Sequence, residues 1–204
     1  MNLKKHAFTL AEALITMVII GVVAALTIPV IMANVFEKSY TTHAKNMVAT
    51  IEQLAADELV NHKTRFLSST DFAAVNSLLS DNHFEIANNC ANNCNVQGGY
   101  FMINDRAGIE NGFFNGRTLT LKNGTKITYA VNDEDEDNYG TFFIDVNGND
   151  KPNTAGRDVF GFTINIRGHI NAQADATVNG CRGGDPIQCT SVLMNNAWET
   201  PGNM

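Results

Sequence analysis

The amino-acid sequence predicts an α+β fold in which one long N-terminal helix packs on a small antiparallel β-sheet. Three observations support this prediction. Residues 13–36 are an apolar run without an ionisable side chain, residues 37–62 repeat apolar positions at helical spacing, and alternating strand patterns follow Gly99. A helix followed by a run of strands is the element order of an α+β protein. The length of 204 residues favours one domain with an appendage.

The apolar run is predicted to cross a membrane. As a helix it would span roughly 36 Å at 1.5 Å per residue, and the hydrocarbon core of a bilayer is about 30 Å thick. Lys4 and Lys5 precede the run, so we expect the N-terminus on the cytoplasmic side and the remainder of the chain outside. Pro29 lies within the run and is expected to kink the helix or melt it locally, because proline cannot donate a backbone hydrogen bond.

The helix is predicted to continue beyond the membrane to His62, with an apolar stripe that the rest of the chain must cover. The stripe consists of Tyr40, Ala44, Met47, Val48, Ile51, Leu54, Ala55 and Leu59. The predicted layout is therefore a leader at residues 1–7, a transmembrane helix at 8–36, its amphipathic continuation at 37–62 and an exported head at 63–204.

Glu12 is the single charged residue between Phe8 and Asn34. A carboxylate within a spanning helix costs about 2.5–3.5 kcal/mol on insertion scales, and such residues are usually functional. Because no Lys or Arg lies within one helical turn, we expect the partner of Glu12 to come from elsewhere. Cleavage between Ala7 and Phe8 would create an α-amino group one turn away, on the same chain or on a neighbouring copy.

These residues resemble the N-terminus of type IV prepilins and pseudopilins, which form type IV pili, competence pili and the fibres of type II secretion. The resemblance rests on the basic leader KKHA at residues 4–7, the segment FTLAE at residues 8–12 and the uninterrupted apolar run. It departs from the family at one position, since the residue before the cut is usually Gly and here it is Ala7.

The resemblance implies a structural subunit that a prepilin peptidase cuts before Phe8 and methylates at the new amine. It implies that Glu12 pairs with the Phe8 amine of an adjacent subunit and that Pro29 marks a helix irregularity. The implied partners are other pilin or pseudopilin subunits, membrane lipid and an inner-membrane assembly platform with a cytoplasmic ATPase. The implied location is the bacterial inner membrane before extraction into a fibre, and the implied shape is a ladle.

Other functions predict different N-terminal chemistry. An ordinary secretory signal would be cut after Ala25, and a plain anchor would need neither Phe8 nor Glu12. A membrane-anchored exported binding protein that does not polymerise is the alternative function.

The net charge of −7 argues against nucleic acid as the main partner. The sequence has no G-x-S-x-G, H-E-x-x-H, Walker or Rossmann pattern, so we do not expect an enzyme.

The head is predicted to contain an antiparallel sheet of about four strands, with a short helix before it. The Asn123-Gly124 turn between two alternating runs is a strong hairpin pattern. The helix is expected over residues 72–79, after the capping residues 69–71. The candidate strands are Tyr100–Ile103, Arg117–Leu121, Lys126–Val131, Gly140–Val146 and Val159–Ile166.

A segment rich in oxygen ligands, residues 145–158, suggests a calcium site. Its candidate ligands are Asp145, Asn147, Asn149 and Asp158, with Asp150 in reserve. The opening D-x-N-x-N resembles an EF-hand, but no Glu stands at the twelfth position and strands flank the segment, which argues against one. Pseudopilins of type II secretion often carry a calcium loop in this part of the head. The alternative is a turn that holds no ion, and no other cofactor is expected.

The four cysteines, Cys90, Cys94, Cys181 and Cys189, fit two disulfides in an exported head. Pairing within each close pair or between the two pairs remains open from sequence. Many pilins carry a C-terminal disulfide loop that is exposed on the fibre, and the segment from Cys181 to Cys189 resembles it.

Two further segments of the head carry predictions. The acidic run at residues 133–137 is interpreted as a solvated loop, with a docking surface or part of a cation site as alternatives. Val192, Leu193 and Trp198 are expected to fasten the C-terminal tail to the sheet.

Overall fold

The structure is a computed structural model, and it describes residues 9–72, 84–90, 117–132, 134–148, 150 and 152–201. The chain forms two compact units that divide between Ser39 and Tyr40. One helix, α1 (Leu10–Asn61), contributes residues to both units. The predicted long N-terminal helix is therefore confirmed.

The first unit consists of the apolar part of α1. Its window Leu10–Pro29 has a mean hydropathy of 2.3 and no buried residue, and it is long and apolar enough to cross a membrane. Leu10 is 80% exposed and Leu26 is 72% exposed. The helix continues through Pro29, so the local melting expected there does not occur. An apolar surface of this size requires lipid or other helices as cover.

The second unit begins with the amphipathic part of α1, and its core confirms the predicted stripe. Ala44, Ile51 and Ala55 are fully buried, and Met47, Val48 and Leu54 are nearly so. Tyr40 and Leu59 pack against the same core. The helix ends at Asn61, one residue before the predicted end.

In the described part of the head, six antiparallel strands form a meander in sequence order. They are β1 (Ile86–Cys90), β2 (Arg117–Leu121), β3 (Lys126–Val131), β4 (Gly140–Asp145), β5 (Val159–Ile164) and β6 (Ile170–Asn171). The bounds of β2 and β3 are those predicted, and β4 and β5 end one and two residues earlier. The sequence prediction missed β1 and β6, and the predicted strand Tyr100–Ile103 lies outside the described residues.

The predicted helix after residue 71 is only partly testable. A 3-10 turn, Leu67–Ser69, precedes that point, and Phe72 follows in a turn with its side chain fully buried. Its ring packs on Tyr129, Tyr139 and Phe142. Residues 73–83 lie outside the described part of the chain, so the helix prediction extends beyond what the structure describes.

Both faces of the sheet are covered. In β4, Phe142 and Ile144 belong to the core shared with α1, whereas Phe143 belongs to a second cluster. This follows from alternation, because successive strand residues point to opposite faces. The second cluster is closed by two short helices, α2 (Val178–Arg182) and α3 (Pro186–Asn195). The α+β prediction is thus confirmed, with a C-terminal helical pair added to it.

Candidate functional site

The N-terminal end of α1 is capped by three hydrogen bonds between Thr9 and Glu12. The backbone N–H and the hydroxyl of Thr9 both donate to Glu12 Oε2, each at 2.9 Å, and the Glu12 N–H donates to Thr9 Oγ1 at 3.3 Å. This arrangement is a capping box, which satisfies donors that the first turn of a helix leaves unpaired.

The capping box gives Glu12 a partner that the sequence prediction did not include. The prediction looked for an opposite charge within one turn, whereas the local partner is the neutral Thr9. The pattern T-x-x-E before an apolar run would have indicated it. The candidate processing residues Ala7 and Phe8 lie outside the described residues. Pro29, the other candidate assembly residue, lies within the continuous part of α1.

The loop between β4 and β5 brings two carboxylates into the interior of the head. Asp145 ends β4 and is 1% exposed, and Asp158 precedes β5 and is 0% exposed. Asp145 Oδ1 accepts hydrogen bonds from the backbone N–H groups of Asn147 and Gly148, at 3.3 and 2.9 Å. Asp145 Oδ2 is buried and accepts no hydrogen bond within the described part of the chain.

Asp158 organises the other end of the same loop. Its two oxygens accept hydrogen bonds from the backbone N–H groups of Asn153 and Thr154, and the Asn147 side chain also bonds to it. The side-chain amide of Asn153 lies against the carbonyl oxygens of Gly148 and Asp150, at 3.3 and 2.7 Å, so its nitrogen is assigned to that side. The loop is therefore lined by several oxygen atoms.

The electrostatics of this loop are unfavourable for two ionised carboxylates. Burial, reinforced by the charge of Asp158, raises the pKa of Asp145 to about 8. Burial also raises the pKa of Asp158, and its backbone hydrogen bonds oppose that change. Lys126 stands opposite Asp145 in the sheet register and compensates part of its charge. A bound cation, or a proton, would relieve the remaining repulsion.

The structure brings together three of the four predicted ligands. Asp145, Asn147 and Asp158 are linked through the loop, while Asn149 lies outside the described residues. The reserve ligand Asp150 is exposed, although its carbonyl group faces Asn153. Among the described residues, no cluster of three or more His, Cys, Asp or Glu side chains could hold a metal ion. Calcium would therefore need the amide and carbonyl oxygens in addition to the two carboxylates.

A disulfide joins Cys181 and Cys189 and lies beside this loop. Both cysteines are fully buried, whereas Arg182 and Gly183 between them are exposed. A Cβ atom placed on Gly156 would lie 2.8 Å from Cys189 Sγ and 3.0 Å from Cys181 Sγ. The side chain of Cys90 and the whole of Cys94 lie outside the described residues, so the pairing of those two stays a prediction.

The acidic run agrees with its interpretation as a solvated loop, since Glu134, Glu136 and Asp137 are exposed. The side-chain and backbone hydrogen bonds that Asn138 donates lower the pKa of Asp135. The tail prediction is confirmed, since Val192 is 7% exposed, Leu193 is fully buried and Trp198 packs against the main core.

The N-terminal residues also match a known family model. Residues 2–28 match the prokaryotic N-terminal methylation motif, the prepilin-type signature of pilin and pseudopilin families. Comparison of the chain with curated proteins and with solved structures gives no significant match. The signature and the single apolar N-terminal helix fit a single-pass inner-membrane anchor and a structural rather than catalytic protein. The chain thus carries the N-terminal signature of a type IV pilin-like or pseudopilin precursor.

Proposed function

We propose that this chain is a structural subunit, a pilin or pseudopilin, of a type IV pilus-like or type II secretion fibre. A prepilin peptidase cuts it before Phe8 and methylates the new amine. Other subunits, an inner-membrane platform and a cytoplasmic ATPase then bring it from the inner membrane into the fibre. The observation that carries the proposal is the match of residues 2–28 to the methylation motif at the start of an exposed apolar helix.

Assembly follows from what the first unit must cover. Its large apolar side chains are exposed along the whole of Leu10–Pro29, so lipid covers them before assembly and neighbouring helices cover them afterwards. Glu12 sets the register, because its carboxylate pairs with the Phe8 amine of the next subunit and an offset neighbour leaves that charge unpaired. The capping box keeps the carboxylate satisfied until that exchange.

The decisive experiment separates the charge of Glu12 from its capping role. Glu12→Gln keeps a capping-box residue but removes the charge, and Thr9→Val removes the cap but keeps the charge. We expect Glu12→Gln and Glu12→Ala to insert in the membrane and fail to enter fibres, and Thr9→Val to enter them. Fibre incorporation is measured on sheared fibres by immunoblot. If cells that carry Glu12→Gln keep the biological activity that the unchanged protein supports, the result would instead favour a membrane-anchored binding protein that does not polymerise.

We further propose that the β4–β5 loop binds calcium. The buried Asp145 Oδ2 without a hydrogen bond in the described chain, next to a second buried carboxylate, supports this proposal. Asp145, Asn147 and Asp158 would hold the ion, with Asn149 and nearby carbonyl groups completing six to eight oxygens. The ion would neutralise the carboxylates and stabilise the head.

Calcium binding is tested by thermal unfolding of the full chain in detergent, with EDTA, with calcium and with magnesium. We expect calcium to raise the Tm and magnesium to raise it less, because Mg²⁺ demands a smaller octahedral site. Equal Tm values with EDTA and with calcium would show that the loop is an ion-free turn.

A further inference from the structure

The C-terminal end of α1 and the β5–β6 turn form one continuous surface of the head. This surface, which we call the basic patch, consists of Lys63, Arg65, Phe66, Arg167 and Val60. The turn is fixed on the helix end, because Leu67 N–H donates to the Ile166 carbonyl at 2.7 Å. Two grooves of about 450 and 590 Å³ adjoin here, and both are lined by Leu59 and Arg167.

The basic patch also carries exposed apolar side chains. Val60 is 73% exposed and Phe66 is 43% exposed, and after residue 39 they are the exposed large apolar side chains among the described residues. An apolar centre with charged neighbours is the usual anatomy of a protein contact. Singly exposed apolar residues are common, so charge must identify the partner.

The cations of the patch carry no ion pair within the described chain. Lys63, Arg65 and Arg167 are exposed and form no salt bridge there. Three carboxylates nearby face histidines instead. Glu58 and Asp71 lie 3.3 and 3.6 Å from His62, and Glu52 lies 3.8 Å from His169. A concentration of free positive charge on a chain with a net charge of −7 points to an acidic partner.

An acidic segment lies directly beside the patch. The Ile166 N–H, next to Arg167, donates to the Glu136 carbonyl at 2.8 Å. The side chains of Glu134, Glu136 and Asp137 are exposed, and they form no salt bridge within the described chain. The acidic loop therefore adjoins the turn that carries Arg167, and within the described chain its carboxylates form no salt bridge with the cations of the patch. Such a face is complementary to a second copy of itself.

We propose that the basic patch binds the acidic loop, residues 134–137, of a second copy of this chain. The inference rests on the proposed function, because it gives the assembled subunits a contact between their heads. The exposed charges select and orient the neighbour, and Val60 and Phe66 form the desolvated centre of the contact. The contact weakens with rising salt, since exposed charge pairs are screened.

The contact is tested in native membranes with two differently tagged copies of the full chain. A photoreactive benzoylphenylalanine replaces Phe66, and the same group replaces Val18 in a separate sample as a reporter of α1 packing. We expect Phe66 to crosslink to the peptide that contains residues 134–137 of the other copy. If Val18 crosslinks between copies but Phe66 does not reach residues 134–137, or reaches only lipid, the head contact would be overturned while the assembly proposal would stand. Loss of both products would overturn the head contact and the assembly proposal together.

Charge exchange decides whether the contact is electrostatic. Arg65→Glu with Arg167→Glu should reduce the Phe66 crosslink about tenfold. Glu134→Lys with Glu136→Lys in the second copy should restore it, which a misfolded variant could not show. Lys45→Glu with Lys122→Glu makes the same change in charge elsewhere on the head and should leave the crosslink unchanged. The proposal would be overturned if the control lost the Phe66 crosslink to the same extent, or if the charge-reversed second copy did not restore it.

Discussion

Asp145 is the residue of the head whose charge is hardest to accommodate. It is 1% exposed, its Oδ2 atom accepts no hydrogen bond from the described chain, and Asp158 lies close enough to repel it. Lys126 offsets only part of this cost, since the pKa of Asp145 remains raised to about 8. The stability of the head should therefore depend on what compensates this one carboxylate.

Replacement of Asp145 by Asn tests that dependence. With EDTA we expect Asp145→Asn to be neutral or stabilising, because the amide has a similar shape and never places a charge in the buried loop. With calcium it should lose the stabilisation of the unchanged chain, about 2.7 kcal/mol at a hundredfold excess over Kd. Chemical denaturation measures both values. Asp175→Asn is the matched control, since that side chain is exposed and lies outside the loop, and an equal effect of the control would contradict the assignment.

The pH dependence of the ion-free chain follows from the same group. The folded pKa of Asp145, about 8, lies above the ordinary value of 3.8, so the folded state binds the proton more tightly than the unfolded state. The free energy of unfolding should therefore fall as pH rises from about 4 to 8. Denaturation in EDTA across this range measures the slope. Asp145→Asn should flatten it, and an unchanged slope would assign the dependence to other groups.

At the level of single residues, the sequence predicted candidate oxygen ligands but not their environment. The composition of residues 145–158 was sufficient to select Asp145 and Asp158, because polar residues at alternate positions are visible in the chain. Their burial depends on how the loop packs within the head, which no local pattern contains. Glu12 shows the opposite case, since its capping partner Thr9 was visible three residues away and a search for charges alone passed over it.

Among the elements, α1 contributes most to the core of the head. Ile51 is fully buried at the centre of its stripe. We expect Ile51→Ala to lower the free energy of unfolding by about 2–5 kcal/mol, because a cavity remains where the side chain was. Val60→Ala on the same helix should change it by less than about 0.5 kcal/mol, since Val60 is 73% exposed. Equal losses in urea denaturation would contradict this placement of the stripe.

The disulfide-linked pair α2–α3 supports the β4–β5 loop through Gly156. Gly156 has φ +76°, and an added Cβ would meet both sulfur atoms of the disulfide. Gly124 has φ +91° with nothing within 4 Å, so it provides a control for backbone strain alone. We expect Gly124→Ala to cost about 1–2 kcal/mol. Gly156→Ala should cost clearly more, and equal values from denaturation would exclude a packing role for the disulfide.

The strands show where sequence patterns were sufficient. β2 and β3 have alternating β-branched and apolar residues around an Asn-Gly turn, so their bounds could be predicted. β1 has the sequence IANNC, in which Ala and two Asn residues disfavour a strand, and it lies at the edge of the described sheet, whereas β6 has two residues. The helix α3 was missed although Asp185 caps it and Pro186 occupies its first turn. Asp and Pro are also common turn formers, so these residues alone do not distinguish a helix start from a turn.

For the whole molecule, the two units carry different tasks in the proposed account. The first exposes an apolar helix that needs other helices or lipid. The second is a closed α+β head with an internal disulfide, a buried carboxylate pair and a surface of divided charge. We therefore propose that processing and helix assembly depend on residues 1–39, and that stability and contacts between heads depend on residues 40–204.

The most direct test of the account is the intact mass and the N-terminal residue of the protein recovered from its native membrane. The account predicts a chain that begins at Phe8 with a methylated amine, because residues 2–28 carry the methylation motif. A chain that begins after Ala25 would identify an ordinary secretory signal and remove Glu12 from the mechanism. An uncut chain that begins at Met1 would identify a permanent anchor and contradict processing as a prepilin.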